Sequence, residues 1–250
     1  MRNLIFWGLF PFALPQALWV RKTAPRFAAA EGPSRGSVGA GEPLRLLAVG
    51  DSIVAGVGAR RIEDALVAQT AKALAELLSR RVEWSAHGRI GARSRTLLDE
   101  FIPALPPEPA DVVLLSVGVN DVTSLTAQPV WERNLDRVLR GIGEHSGDAV
   151  VAVAGIPPLG GFPLLPQPLR FASGQRGRSF DHAARRVVAD HANAIHVPVE
   201  FDTTPDRFSA DGFHPSEQSY REFGAAFAAE VAGHIDARPG RARRARDGEP

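Results

Sequence analysis

Apolar residues fall along this chain in two rhythms. Five short runs are nearly continuous, at residues 44–49, 81–86, 111–117, 149–156 and 194–199. The third, Asp111-Val-Val-Leu-Leu-Ser-Val117, is the most strongly β-branched. Continuous runs of this length predict strands buried on both faces. Between them the apolar positions recur at helical spacing: Leu66, Thr70, Leu74 and Leu77/Leu78, then Trp131, Leu135, Val138, Leu139 and Ile142. Helices are predicted over 63–78, from Ser94 as a capping residue to about 104, over 131–142 and 179–192, and from Ser216 to about 235. Strand and helix alternate five times with no hairpin signal. That pattern predicts an α/β fold, a five-stranded parallel sheet between two helical layers.

The ends break the rhythm. Residues 3–20 are uncharged and mostly apolar, with Arg2 before them and Arg21 and Lys22 after them. The expectation for residues 1–30 is a secretory signal, with Ala28-Ala29-Ala30 as its cleavage region, or a membrane anchor near the minimum spanning length. Pro11 and Pro15 would kink such a helix. Positive charge after the run weakens both readings. A bacterial envelope location is expected, with a cytoplasmic protein carrying a peripheral apolar arm as the alternative. Residues 31–43, rich in Gly, Pro and Ser, read as a linker. Residues 44–236 read as one domain. The arginine-rich residues 237–250 read as a disordered tail.

Composition narrows the classes. In 250 residues, 44% hydrophobic and 23% charged, there is material for one sizeable core. A formal net charge of +1, with the basic excess at the two ends, argues against a nucleic-acid partner, as does an aromatic content of only 7%. With no cysteine there is no disulfide, thiolate nucleophile or cysteine metal site.

In open parallel sheets, ligands bind beyond the carboxyl ends of the strands. Four predicted strands are followed by chemistry. The first runs into Gly50-Asp51-Ser52, the second into Gly88-Arg89-Ile90-Gly91, the third into Gly118-Val119-Asn120-Asp121, and the fifth into a loop carrying Asp211-Gly212-Phe213-His214-Pro215. A serine hydroxyl becomes a nucleophile only beside a base that is itself oriented by an acid. Asp211 and His214, three residues apart in a Gly/Pro-bounded turn, have the spacing for that. The first stretch lacks the lysine of a P-loop and the spacing of a dinucleotide fingerprint.

These four blocks, in this order, resemble the SGNH hydrolase superfamily, the GDSL-type esterases and lipases. The resemblance covers roughly residues 44–236. It implies a flavodoxin-like three-layer α/β/α fold, Ser52 as nucleophile, His214 as base and Asp211 as its partner. It also implies Gly91 and Asn120 as oxyanion donors, with Gly88 the other candidate glycine. Ile53 stands where the family has leucine. The implied chemistry is hydrolysis of short-acyl or lipid-like carboxylic esters with no metal or other cofactor. Acyl transfer or sugar-ester deacetylation is the near alternative. A metal-dependent phosphoesterase using Asp51, Asn120, Asp121, Asp211 and His214 is the distant one. The expected partner is a small ester or lipid, with membrane association through residues 3–20 and an undetermined oligomeric state. The apolar loop with Phe162, Leu164 and Leu165 is a candidate acyl-binding wall.

Overall fold

The structure is a computed structural model that describes residues 2–25, 27–199 and 202–237. The expected tail, 237–250, lies outside the described residues apart from Ala237. Six strands form one sheet in the order β1-β3-β2-β4-β5-β6. They are β1 Arg35–Val38, β2 Pro43–Gly50, β3 Arg81–Gly88, β4 Val112–Ser116, β5 Val150–Ala154 and β6 Ala194–Val197. All pairs from β3 to β6 are parallel; β1 pairs antiparallel with the outer edge of β3.

Successive side chains on a strand point to opposite faces. Leu44, Leu46 and Ala48 of β2 join one core, with α2 (Leu66–Leu78) and α7 (Glu217–Asp236). Leu47 and Val49 join the other, with α5 (Gln128–Ser146) and α6 (Leu169–Ala189). Both faces are covered, so β4 and β5 are buried at every position. This is the expected α/β/α sandwich of parallel strands with one strand added.

The added strand corrects the linker reading of residues 31–43. β1 is only Arg-Gly-Ser-Val, half-buried on an edge, and has no apolar run to announce it. Gly36 lets it lie against Trp84, because a Cβ there would come within 2.7 Å of the indole ring. A second difference concerns α6, which begins at Leu169 rather than near 179. Its first turns carry Gly174 and Gly177, poor helix formers that hide the signal. Gly174 is needed because a Cβ there would meet Gly160 at 2.7 Å. The helical stretch expected from Ser94 is present as a run of changing pitch: α3 (Ser94–Thr96), a π-turn Leu97–Phe101 and a 3-10 turn Ile102–Ala104. Ser94 does not cap it; Arg93 holds that position, without a side-chain hydrogen bond.

The apolar N-terminal segment forms α1 (Arg2–Thr23), which packs along α6. Gln16 fastens it there: its Oε1 accepts from Leu169 N–H at 3.0 Å and its Nε2 donates to Gln167 O. Among the described residues no helix is long and apolar enough to cross a membrane.

Candidate active site

Chain order reverses direction across the sheet at β2, whose neighbours are β3 and β4. The register sets Gly50 level with Gly88 on one side and Ser116 on the other. Three strand ends are therefore aligned, and the first three sequence blocks leave from them together. Gly50 permits this tight edge, since a Cβ would lie 2.3 Å from the Ser116 carbonyl oxygen. The fourth block reaches the same place from the loop before α7.

Ser52 sits in the turn after β2, nearly buried. Its Oγ–H donates to Nε2 of His214 at 2.9 Å. On the other side of the ring, Nδ1–H donates to Asp211 Oδ2 at 2.6 Å. The carboxylate can only accept, so Nδ1 carries the proton and Nε2 is left to receive one. Asp211 is held by its own turn: Oδ1 accepts from Phe213 N–H, His214 N–H and the Ser209 hydroxyl, at 2.8, 2.9 and 2.8 Å. Gly212, at φ +64°, supplies the left-handed step that folds the turn back. Burial pushes the Asp211 carboxyl up, but the bonds from the His214 side chain and the two N–H groups outweigh it and bring it down to about 2.

Asp51, beside Ser52, goes the other way. Burial raises it to about 6 against hydrogen bonds from Ile53 N–H and the Ser116 hydroxyl and the nearby His214 charge. It closes the turn that presents Ser52, its Oδ1 accepting from Ile53 N–H at 3.1 Å.

Gly91 and Asn120 border the same cavity as Ser52; Gly88 does not. Gly88 has a packing reason instead, since a Cβ there would lie 2.2 Å from Ala55 N. Among the described residues no acceptor takes the Ser52 or Gly91 N–H. Asn120 lies on the short helix α4 (Val119–Thr123); one hydrogen of its amide goes to Ala92 O at 3.0 Å, which ties it to the Gly91 loop and leaves the other hydrogen available.

That loop is clamped by Asp121 of the third block together with Ser94 and Asn134, whose bracing role has no sequence signal. Asp121 accepts from Ser94 N–H at 2.9 Å and from Ser94 Oγ–H at 2.8 Å, and Asn134 donates to Ser94 Oγ at 3.0 Å. Ser209 and Ser116, which support Asp211 and Asp51, carry no such signal either. Each is one serine among many, and only spatial neighbourhood distinguishes it.

Among the described residues, two other His–Asp pairs, His196–Asp181 at 2.8 Å and His191–Asp136 at 3.0 Å, have no serine on the second ring nitrogen. Of the residues a phosphoesterase would use, Asp51 and Asp121 are engaged as described. Among the described residues no three His, Cys, Asp or Glu side chains converge as a metal ion requires. The proline-rich loop contributes partly as expected: Phe162 lines the cavity, whereas Leu165 is core, and Leu164 N–H bonds to Gly212 O at 3.1 Å.

The fold has many solved counterparts. A lipase from a goat rumen metagenome superposes with a TM-score of 0.62 at 19% identity, covering 76% of this chain and 98% of that one. A lipase/acylhydrolase from Enterococcus faecalis gives 0.57 at 22%, covering 76% and 96%. A family 3 carbohydrate esterase from Clostridium thermocellum gives 0.61 at 17%, covering 78% and 99%. A GDSL-like esterase of Mycobacterium tuberculosis is 31% identical over 189 residues, 71% of this chain; the match spans 58% of that relative's length. The model of the GDSL-like lipase/acylhydrolase family matches residues 48–222. That match takes in Ser52, Gly91, Asn120, Asp211 and His214 and more than half of the sequence, and by it the chain belongs to the GDSL-like lipase/acylhydrolase family.

Proposed function

We propose that this protein is a metal-independent carboxylic ester hydrolase working through an acyl-enzyme on Ser52. The observation that carries the reading is the unbroken relay from Ser52 Oγ through His214 to Asp211. Ser52 Oγ attacks the ester carbonyl carbon while His214 Nε2 takes its proton. Asp211, whose carboxyl is brought down to about 2, stabilises the resulting imidazolium and keeps the ring oriented. The N–H groups of Ser52 and Gly91 and the available amide hydrogen of Asn120 receive the negative oxygen. Collapse breaks the bond to the alcohol, which leaves with the proton from His214. Water then enters and attacks the acyl carbon while giving a proton to the same nitrogen; collapse breaks the bond to Ser52 Oγ, which takes that proton back from His214 as the acid leaves.

The test is turnover of p-nitrophenyl esters by wild type and Ser52→Ala, with and without chelator, alongside labelling by a fluorophosphonate. Chelator-insensitive activity that disappears in Ser52→Ala, with labelling confined to Ser52, is the expected result. Undiminished turnover in Ser52→Ala would overturn it.

A further inference from the structure

The cavity at Ser52 continues well past the reacting atoms. It opens beside Ile90, which is half exposed, and runs inward past Ile156 to Leu66, Phe223 and Phe227, all buried. The inner part thus crosses to the α2/α7 side of the sheet, where Ala154 at the end of β5 forms part of its wall. The whole cavity, reacting end included, has a volume of about 180 Å³.

The polar side chains on its wall are Asp51, Ser52, Ser116, Asn120 and His214. All five are gathered at the reacting end. Asp51 and Ser116 hold each other, Asn120 holds Ala92 O, and His214 holds Asp211 and Ser52. Beyond them the side chains are apolar, so a buried hydroxyl there would go unpartnered, which is costly. A sugar does not fit such a space; a hydrocarbon chain does.

We infer that this inner cavity is an acyl-chain pocket whose depth is set by Phe227 and Ala154, making the enzyme selective for esters of medium-chain acids. The inference rests on the serine-esterase reading above and adds to it which half of the ester is recognised and how long that half is. The alcohol must leave in every cycle and water must take its place, which requires a path to solvent past His214. The acyl group stays bonded to Ser52 Oγ throughout, so a blind end serves it without obstructing turnover. An apolar cavity of about 150 Å³ holds a six-carbon ring. The cavity of about 180 Å³, which includes the reacting end, therefore matches an acyl group of roughly six to eight carbons counted from its carbonyl. Each methylene buried raises kcat/KM about fourfold until the chain meets Phe227, after which the gain stops.

The experiment is kcat/KM for p-nitrophenyl acetate through dodecanoate, with octyl acetate as the arm that lengthens the alcohol instead. Two variants change the pocket in opposite directions: Phe227→Ala deepens it and Ala154→Leu fills it. The readout is the ratio of octanoate to acetate within each protein. Fluorophosphonate labelling of Ser52 reports that each variant is folded. Wild type is expected to peak at hexanoate to octanoate. Phe227→Ala is expected to move the peak at least two carbons longer. Ala154→Leu is expected to lower the octanoate-to-acetate ratio about tenfold or more. Should Phe227→Ala fail to fold, Ala154→Leu carries the test alone. A labelled, active enzyme with a flat acyl series overturns the inference and leaves the esterase reading standing. So does a ratio that Ala154→Leu leaves unchanged, or a chain-length gain seen only with octyl acetate. Absence of both turnover and labelling in wild type removes both.

Discussion

Asp51 and Asp211 stand on either side of the Ser52–His214 pair, and their carboxyls are driven in opposite directions. Asp211 collects donors and falls to about 2; Asp51 has fewer and rises to about 6 under burial. The consequences for stability differ in sign. Asp211 ionises more readily folded than unfolded, so its contribution is present above its ordinary value of 3.8 and is lost as pH falls toward 2. Asp51 binds its proton more tightly folded, so its contribution is present below 3.8 and is lost as pH rises through 6. The cost above that range is about 3 kcal/mol. Asp51→Asn keeps an oxygen for Ile53 N–H and cannot ionise. Urea denaturation between pH 4 and 7 should show its stability rising relative to wild type across that window. A constant difference would contradict the assignment. For catalysis, Ser52→Ala should lower kcat about ten-thousand-fold or more. Asn120→Ala should lower kcat about a hundred- to a thousand-fold with KM little changed, because an oxyanion donor acts on the transition state. Ser52, Asp211 and His214 are legible in the sequence because chemistry demands those residue types, and the Asp-x-x-His spacing closes one turn. The serines behind them are not, because a supporting hydroxyl can come from anywhere that the fold brings close.

At the scale of elements, strands are more legible than helices. β4 and β5 are buried at every position since both faces are covered, and all but Ser116 at the end of β4 are apolar; a short run of that kind marks a central strand. The first half of α6 is hidden because the glycines that let it meet the Gly160 turn argue locally against a helix. Tertiary contact overrules propensity there. The edge strand β1 is hidden for the related reason that half of its backbone pairing is all it needs. Close approach also makes Gly50 sensitive. Gly50→Ala would press a methyl against the Ser116 carbonyl, and a loss of about 3 kcal/mol in urea denaturation is expected. Gln16 ties α1 to the first turn of α6 through two bonds. Gln16→Ala should hasten tryptic cleavage at Arg21 and Lys22 without changing the circular dichroism of the remainder.

For the molecule as a whole, the boundary of the folded unit shifts. A chain cut at Pro43, where a linker would end, lacks β1 and exposes the outer edge of β3 with Trp84 beside it. Unpaired edges invite association. Size-exclusion chromatography should show oligomers or aggregate for that truncation, and a single sharper species for a chain that keeps residues 31–42. The sandwich also accounts for how remote blocks act together. Aligned strand ends at Gly50, Gly88 and Ser116 deliver three of them, and α7 with its preceding loop delivers the fourth.

The amino-acid sequence alone determined the alternation of strands and helices, the class of fold and the residue types, Ser52, Asp211 and His214, on which the proposed chemistry rests. These follow from local periodicity and from residue chemistry, which any short window of the chain contains. Only the tertiary structure decided that Gly91 rather than Gly88 borders the cavity. It alone decided that Ser94, Ser116 and Ser209 brace the site and that the space beyond Ser52 is lined by apolar side chains, Phe227 among them. Those properties belong to surfaces assembled from segments far apart in the chain, and no pattern along one segment records what another will place against it.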